Sequence, residues 1–118
     1  MAGPHTDLAY LERFCKGDRS RMEKYVLMYL QGAPDLFQKL KSLLDSGDGG
    51  SLAVAAHSLR PQVNDMGAQR LFELLTMIED RARGEGATAC APLVQEAMDL
   101  NKNVMAELQA QFGHHGTH

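Results

Sequence analysis

Of the five histidines in the chain, His5, His114, His115 and His118 lie close to its ends, and only His57 sits inside a helical pattern. An imidazole titrates near pH 6.5, so at neutral pH much of it is unprotonated and nucleophilic. Such a ring can accept a phosphoryl group on a nitrogen without a neighbouring general base. Arg60 follows three residues later, a spacing that makes side chains neighbours on a helix surface. A guanidinium there can pair with phosphoryl oxygens and offset their charge. No second histidine, clustered carboxylate set or glycine-rich phosphate loop stands beside the pair in sequence. Residues of this kind suit a phosphoryl carrier whose catalytic machinery belongs to its partners.

The ring is available for chemistry only if its helix presents it outward. On a wheel of about 100° per residue, Leu52, Ala55, Ala56, Leu59, Val63 and Met66 cluster within about 100° of arc. That arc is the core stripe of a helix from about Ser51 to Met66. His57 falls roughly 150° from its centre by the same arithmetic. Ala53, Val54, Arg60, Pro61 and Asn64 are expected on the same outward side. An ordinary solvated face would carry Glu, Lys and Gln, whereas this one offers small or apolar groups that suit docking of a bulky partner. From geometry alone, a surface histidine without a role explains the position equally well.

The rest of the chain must build a scaffold around this helix. Thr6 and Asp7 read as the start of a short helix carrying Leu8, Leu11 and Cys15, ended by Gly17. Asp18 can cap a long second helix with a stripe from Met22 through Ala33. The stripe resumes from Leu36 to Leu44, and Pro34 predicts a kink or a brief interruption between the two halves. The run from Asp45 to Gly50 is a turn. After the His57 helix, Gly67 supplies a stop. A fourth helix bears Leu71, Leu74, Leu75 and Ile78, and a last one starts between Thr88 and Pro92 and runs to Phe112. Short links between amphipathic helices favour antiparallel neighbours. The expected fold is all-α: an up-and-down antiparallel four-helix bundle with a short additional N-terminal helix. The bundle should span residues 7–112, with a flexible N-terminus over 1–6 and a disordered tail over 113–118.

Composition narrows the function classes. One hundred and eighteen residues make one domain with its own core. Twelve Lys and Arg scattered along a chain of net charge −3 argue against nucleic acid. No apolar run approaches the roughly 20 residues that span a bilayer, and no signal peptide is visible. Cys15 and Cys90 show no metal spacing and read as two reduced thiols of a cytoplasmic protein. A metal or redox bundle fails for want of paired Glu and His positions on facing helices. The tail histidines lack the helical spacing that organises a selective metal site, so no metal is expected in this chain. Glu79, Asp80, Arg81 and Arg83 read as a solvated helix end.

At this point the residues match a known pattern. Ala56-His57-Ser58-Leu59-Arg60, followed by Gly67-Ala68 and Leu71, resembles the signature of histidine-containing phosphotransfer (HPt) domains. That pattern has a Leu two positions after the His, a basic residue three after, and Gly-Ala ten and eleven after. The likeness runs from Asp7 to about Glu79 and includes Gly17-Asp18, Tyr29-Leu30, Pro34 and Asp48. It implies a phosphorelay intermediate of a bacterial-type two-component system. His57 would take phosphate from a receiver-domain aspartate and give it to another receiver, with Arg60 steadying the charge.

The resemblance also implies that Leu59 is a core anchor and that Gly67 makes the turn between the third and fourth helices. Its implied partners are response-regulator receiver domains and a hybrid sensor histidine kinase. Any Mg²⁺ belongs to the receiver, with no cofactor in this chain. Val54, Ala53, Pro61, Asn64, Gln69 and Arg70 are the expected docking residues of a monomeric module. Met1 and the short tails fit a free-standing protein. The alternative is a docking module of the same shape that is never phosphorylated, although such a module has no chemical need for both His57 and Arg60. Pro61 departs from the family, which commonly has Gly there. A proline removes the amide that would bond the carbonyl of His57, at about 3 kcal/mol in an ordinary helix interior.

Overall fold

The structure is a computed structural model describing residues 2–112. It contains α1 (Ala9–Phe14), α2 (Arg19–Ser46), α3 (Gly49–Asp65), α4 (Gln69–Glu85), a 3₁₀ turn (Thr88–Cys90) and α5 (Ala91–Gln111). Among the described residues there is no β-strand, only an isolated bridge between Ala2 and Asp7. Helices α2 to α5 form the expected up-and-down bundle: α3 packs on α2, α4 on α3, α5 on α4, and α5 closes back onto α2. The short α1 lies across α2. The expected tail over residues 113–118, including His114, His115 and His118, lies outside the described residues.

Local signals explain most boundaries. Asp18 caps α2 by accepting from Arg21 N at 3.2 Å, and Asp48 caps α3 by accepting from Ser51 N at 3.0 Å. Each satisfies a backbone donor that the first helical turn leaves unpaired. Helix α3 therefore starts at Gly49, two residues before the expected Ser51. Helix α2 runs through Pro34 as the one long helix expected, without the brief interruption that was one of the two alternatives there. Pro34 is exposed, and water can satisfy the carbonyl that lost its ladder partner. At about 1.5 Å per residue its 28 residues extend roughly 42 Å, matching the longest molecular dimension of 43 Å.

One continuous core fills the bundle, with Met22, Val26, Phe37, Leu40, Leu52, Leu59, Leu71, Leu75, Ile78, Val94, Val104 and Leu108 buried. Inside it, the Tyr29 hydroxyl donates to Asn101 Oδ1 at 2.6 Å, joining α2 to α5 without leaving a buried polar group unpaired.

Two expectations about the ends and faces need correction. Residues 2–7 fold into a turn held by Glu107 of α5, whose carboxylate accepts from His5 N at 3.0 Å, Thr6 N at 2.9 Å and the Thr6 hydroxyl at 2.5 Å. Thr6 is buried, and α1 begins at Ala9, later than Thr6-Asp7 suggested. Ala53, expected on the docking face, is fully buried. The reason is that α3 is flanked on two sides, by α2 and by α4, so its buried arc is wider than one stripe. Gly49 lies against the carbonyl of Ala82, where an added Cβ would sit 3.0 Å away. Ala53 and Ala56 continue that row along α3. Small side chains here let the α3 and α4 backbones come close, and that closeness builds the site.

Candidate functional site around His57

His57 stands where the wheel placed it, with 62% of its side chain exposed. Beneath it, unexpectedly, is a carboxylate. Glu79 of α4 is only 5% exposed, and both its oxygens lie 3.1 Å from His57 Nδ1. Arg60 donates to Glu79 Oε1 at 3.0 Å, and Arg83, one turn further along α4, donates to Oε2. Glu79 is thus not part of the solvated helix end that its charge suggested, whereas Arg83 is exposed as expected. Arg81, by contrast, pairs with Glu85.

A buried carboxylate is tolerated only when charge and hydrogen bonds compensate its lost hydration. Burial pushes the Glu79 carboxyl up, but the hydrogen bonds from His57, Arg60 and Arg83 outweigh it and hold the group below its ordinary value. Glu79 is therefore ionised at neutral pH and can only accept. That fixes the ring. Nδ1 carries the proton and donates to Glu79, leaving Nε2 on the opposite edge as the unprotonated nitrogen of the neutral imidazole. Arg60 Nη1 approaches Nδ1 at 3.5 Å. Both atoms are donors, so we read this contact as two groups converging on one carboxylate rather than as a bond between them.

Arg60 is held more firmly than an exposed cation would be. Its guanidinium lies 5.0 Å from the centre of the Phe72 ring, and its side chain is 28% exposed. Its Nε is buried without a partner among the described residues. His57, Arg60, Pro61, Asn64 and Phe72 line a shallow depression of about 310 Å³. Helix α3 continues unbroken through Pro61, whose missing amide leaves the His57 carbonyl without its helical donor.

The other expected docking residues divide. Val54 is 60% exposed and lines a larger groove of about 550 Å³ between α2 and α3, with Leu36, Leu43, Ala55 and Ser58. Gln69 and Arg70 are exposed but do not line the His57 depression. They border the cavity under the N-terminal turn, and Arg70 pairs with Glu96 of α5 at 3.1 Å. Nine residues of helix, about 14 Å along its axis, separate Arg70 from Glu79. No group of three or more His, Cys, Asp or Glu able to hold a metal occurs among the described residues, and none of their helices is long and apolar enough to cross a membrane.

The signal for Glu79 was present in the sequence. Leu71, Leu75, Glu79 and Ala82 follow the three-and-four spacing of the α4 stripe, so the carboxylate occupies a core position. Arg83 follows it at i+4, the favourable order for such a pair. What the sequence lacked was the identity of the helix face opposite.

The Arg60→Ala variant is expected to slow phosphoryl acceptance by about tenfold or more, since a charge-assisted contact is lost. The fold should survive, with a cost of about 1–3 kcal/mol, because the buried Glu79 loses one of its three partners and the stacking on Phe72 is lost. Paired rapid-quench transfer assays and thermal melts check both statements. An unfolded variant would show that Arg60 is chiefly structural.

Comparison with known proteins bears on the fold and the family. No curated protein matches the sequence. In fold, the chain is similar to the crystal structure of histidine-containing phosphotransfer protein B (HptB) from Pseudomonas aeruginosa PAO1. The TM-score is 0.83 at 21% sequence identity, over 93% of this chain and 96% of that one. A family model described as Hpt domain matches residues 24–111, which include all of α3 and α4 and therefore His57, Arg60, Glu79 and Arg83. The chain belongs to the Hpt domain family.

Proposed function

We propose that this protein is a phosphorelay intermediate that carries a phosphoryl group on Nε2 of His57. The observation that carries the reading is the pairing of an exposed imidazole with a buried, ionised Glu79, which occupies Nδ1 and frees Nε2. In the accepting step the Nε2 lone pair attacks the phosphorus of an aspartyl phosphate on a receiver domain. The P–O bond breaks, and its electron pair leaves with the aspartate carboxylate. The donating step is the reverse, onto the aspartate of a second receiver. Arg60, whose Nη1 lies 3.5 Å from the ring, supplies charge to the phosphoryl oxygens through its guanidinium.

The chain itself is a carrier, with catalysis and Mg²⁺ supplied by the receiver domains. The upstream donor is the receiver of a hybrid sensor histidine kinase, and the module works as a cytoplasmic monomer. Receivers dock over Pro61 and Asn64 beside the ring and over the groove rimmed by Val54, where apolar surface is exposed. Incubation with a ³²P-labelled phosphorylated receiver domain tests this. Acid-labile, base-stable label should appear on this chain. A stable complex with label remaining on the receiver would establish a docking module and overturn the carrier reading.

A further inference from the structure

We infer that Glu79 keeps the Nδ1 proton on His57 after phosphorylation, with Arg83 moderating that hold, so that this α4 pair sets how readily the phosphoryl group leaves. The inference rests on the relay reading and adds a control of the phosphohistidine itself.

The argument begins with the electron balance. Attack through Nε2 leaves a ring that still bears the Nδ1 proton and is therefore cationic. When phosphorus is next attacked, the P–N bond breaks and its electron pair returns to Nε2. If Nδ1 is protonated, the departing group is a neutral imidazole. If that proton has been lost, the departing group is an imidazolate, a far poorer leaving group. Transfer and hydrolysis of phosphohistidine therefore both track the protonation of Nδ1.

That proton faces one acceptor. Both oxygens of Glu79 are 3.1 Å from Nδ1, and the carboxylate is almost wholly shielded from water, so its charge acts on the ring with little screening. The other ionisable groups facing this pair are Arg60 from α3 and Arg83 from α4. Each guanidinium draws on the same carboxylate and opposes positive charge on the ring. Arg60 also serves the phosphoryl group directly. Arg83 reaches the ring only through Glu79, which makes Glu79 and Arg83 positioning residues and Arg83 the adjustable one. Its side chain is 55% exposed, so removing it leaves no cavity in the core.

Two variants should act in opposite directions. Glu79→Gln keeps an oxygen that can accept from Nδ1 but removes the charge. The Nδ1 pKa of the phosphorylated ring should fall by about one unit, the scale of a charge-assisted hydrogen bond. The lifetime of phosphohistidine near neutral pH should then lengthen by up to about tenfold. Arg83→Ala leaves Glu79 one competitor fewer, and the same pKa should rise. General loosening of the site would move both variants the same way.

The test uses the full chain phosphorylated with phosphoramidate, a small-molecule donor that needs no partner protein. Nδ1 and Nε2 of His57 are followed by ¹⁵N NMR across a pH titration, with circular dichroism to verify the fold. A lowered pKa in Glu79→Gln and a raised one in Arg83→Ala support the inference. Should Glu79→Gln fail to take the label or fail to fold, the direction of the Arg83→Ala shift decides alone. Unchanged values, or shifts of the same sign, overturn the inference while the relay reading stands. If the wild type takes no phosphoryl group on His57, the relay reading falls with it.

Discussion

Replacing His57 with glutamine is expected to abolish phosphoryl acceptance altogether, with the bundle and its docking face intact. The glutamine side chain is of similar reach, and its amide can still donate to Glu79, so the buried carboxylate keeps three partners. It carries no nitrogen lone pair able to attack phosphorus. Because the native ring is 62% exposed and contributes little packing, the melting temperature should stay within a few degrees of the wild type. Incubation of both proteins with a labelled receiver should give acid-labile counts in the wild type and none above background in the variant. Titration calorimetry with the unphosphorylated receiver should give closely similar affinities. Equal labelling of the two proteins would remove His57 from the mechanism, and every role assigned above to Arg60, Glu79 and Arg83 would lose its object.

The largest effect on stability is expected at Gly67. This residue has φ of +64°, a region that costs a side-chain-bearing residue about 1–2 kcal/mol. A second constraint is steric. A Cβ on Gly67 would stand 1.9 Å from the carbonyl oxygen of Asp7, and Asp7 N donates to Met66 O at 3.3 Å across the same contact. The N-terminal turn would have to lift away, taking Thr6 and its bonds to Glu107 with it.

We expect Gly67→Ala to cost about 2–4 kcal/mol, the sum of backbone strain and the displaced turn. For a domain of this size that is a fall of roughly 8–16 °C in Tm. Chemical denaturation would measure it directly, and a loss below about 0.5 kcal/mol would refute the close approach. The cost should shrink in a Glu107→Ala background, where the turn is already loosened, because the two changes share one contact. The turn also has a bearing on the site. Gly67 joins α3 to α4, and the register of those two helices decides whether Glu79 lies beneath His57.

How much of this was legible beforehand follows from the reach of each signal. Helical period, the Asp18 cap, the turn before α3 and the outward bearing of His57 are local properties. Each depends on residues within a turn or two, and each was legible, although the turn before α3 is only Gly47-Asp48 where Asp45 to Gly50 was expected. The Hpt signature added the expected role of His57 and Arg60.

The failures share a cause. A helical wheel describes a helix against one core, but α3 is flanked by both α2 and α4. Ala53, placed outside by the wheel, is inside for that reason. Charge was taken as a mark of solvent at Glu79, although its position on the α4 stripe said otherwise. An isolated stripe does not reveal which cations will meet a buried carboxylate from the neighbouring helix. Arg70 went to α5 because Glu96 faces it there, a partner 26 residues away in sequence. The amino-acid sequence by itself determined the helices, their order and the outward bearing of His57, since these follow from spacing along a single segment. Only the tertiary structure decided that Glu79 takes Nδ1 and leaves Nε2 free, because that requires the close approach of two helices whose small facing residues no single wheel can pair.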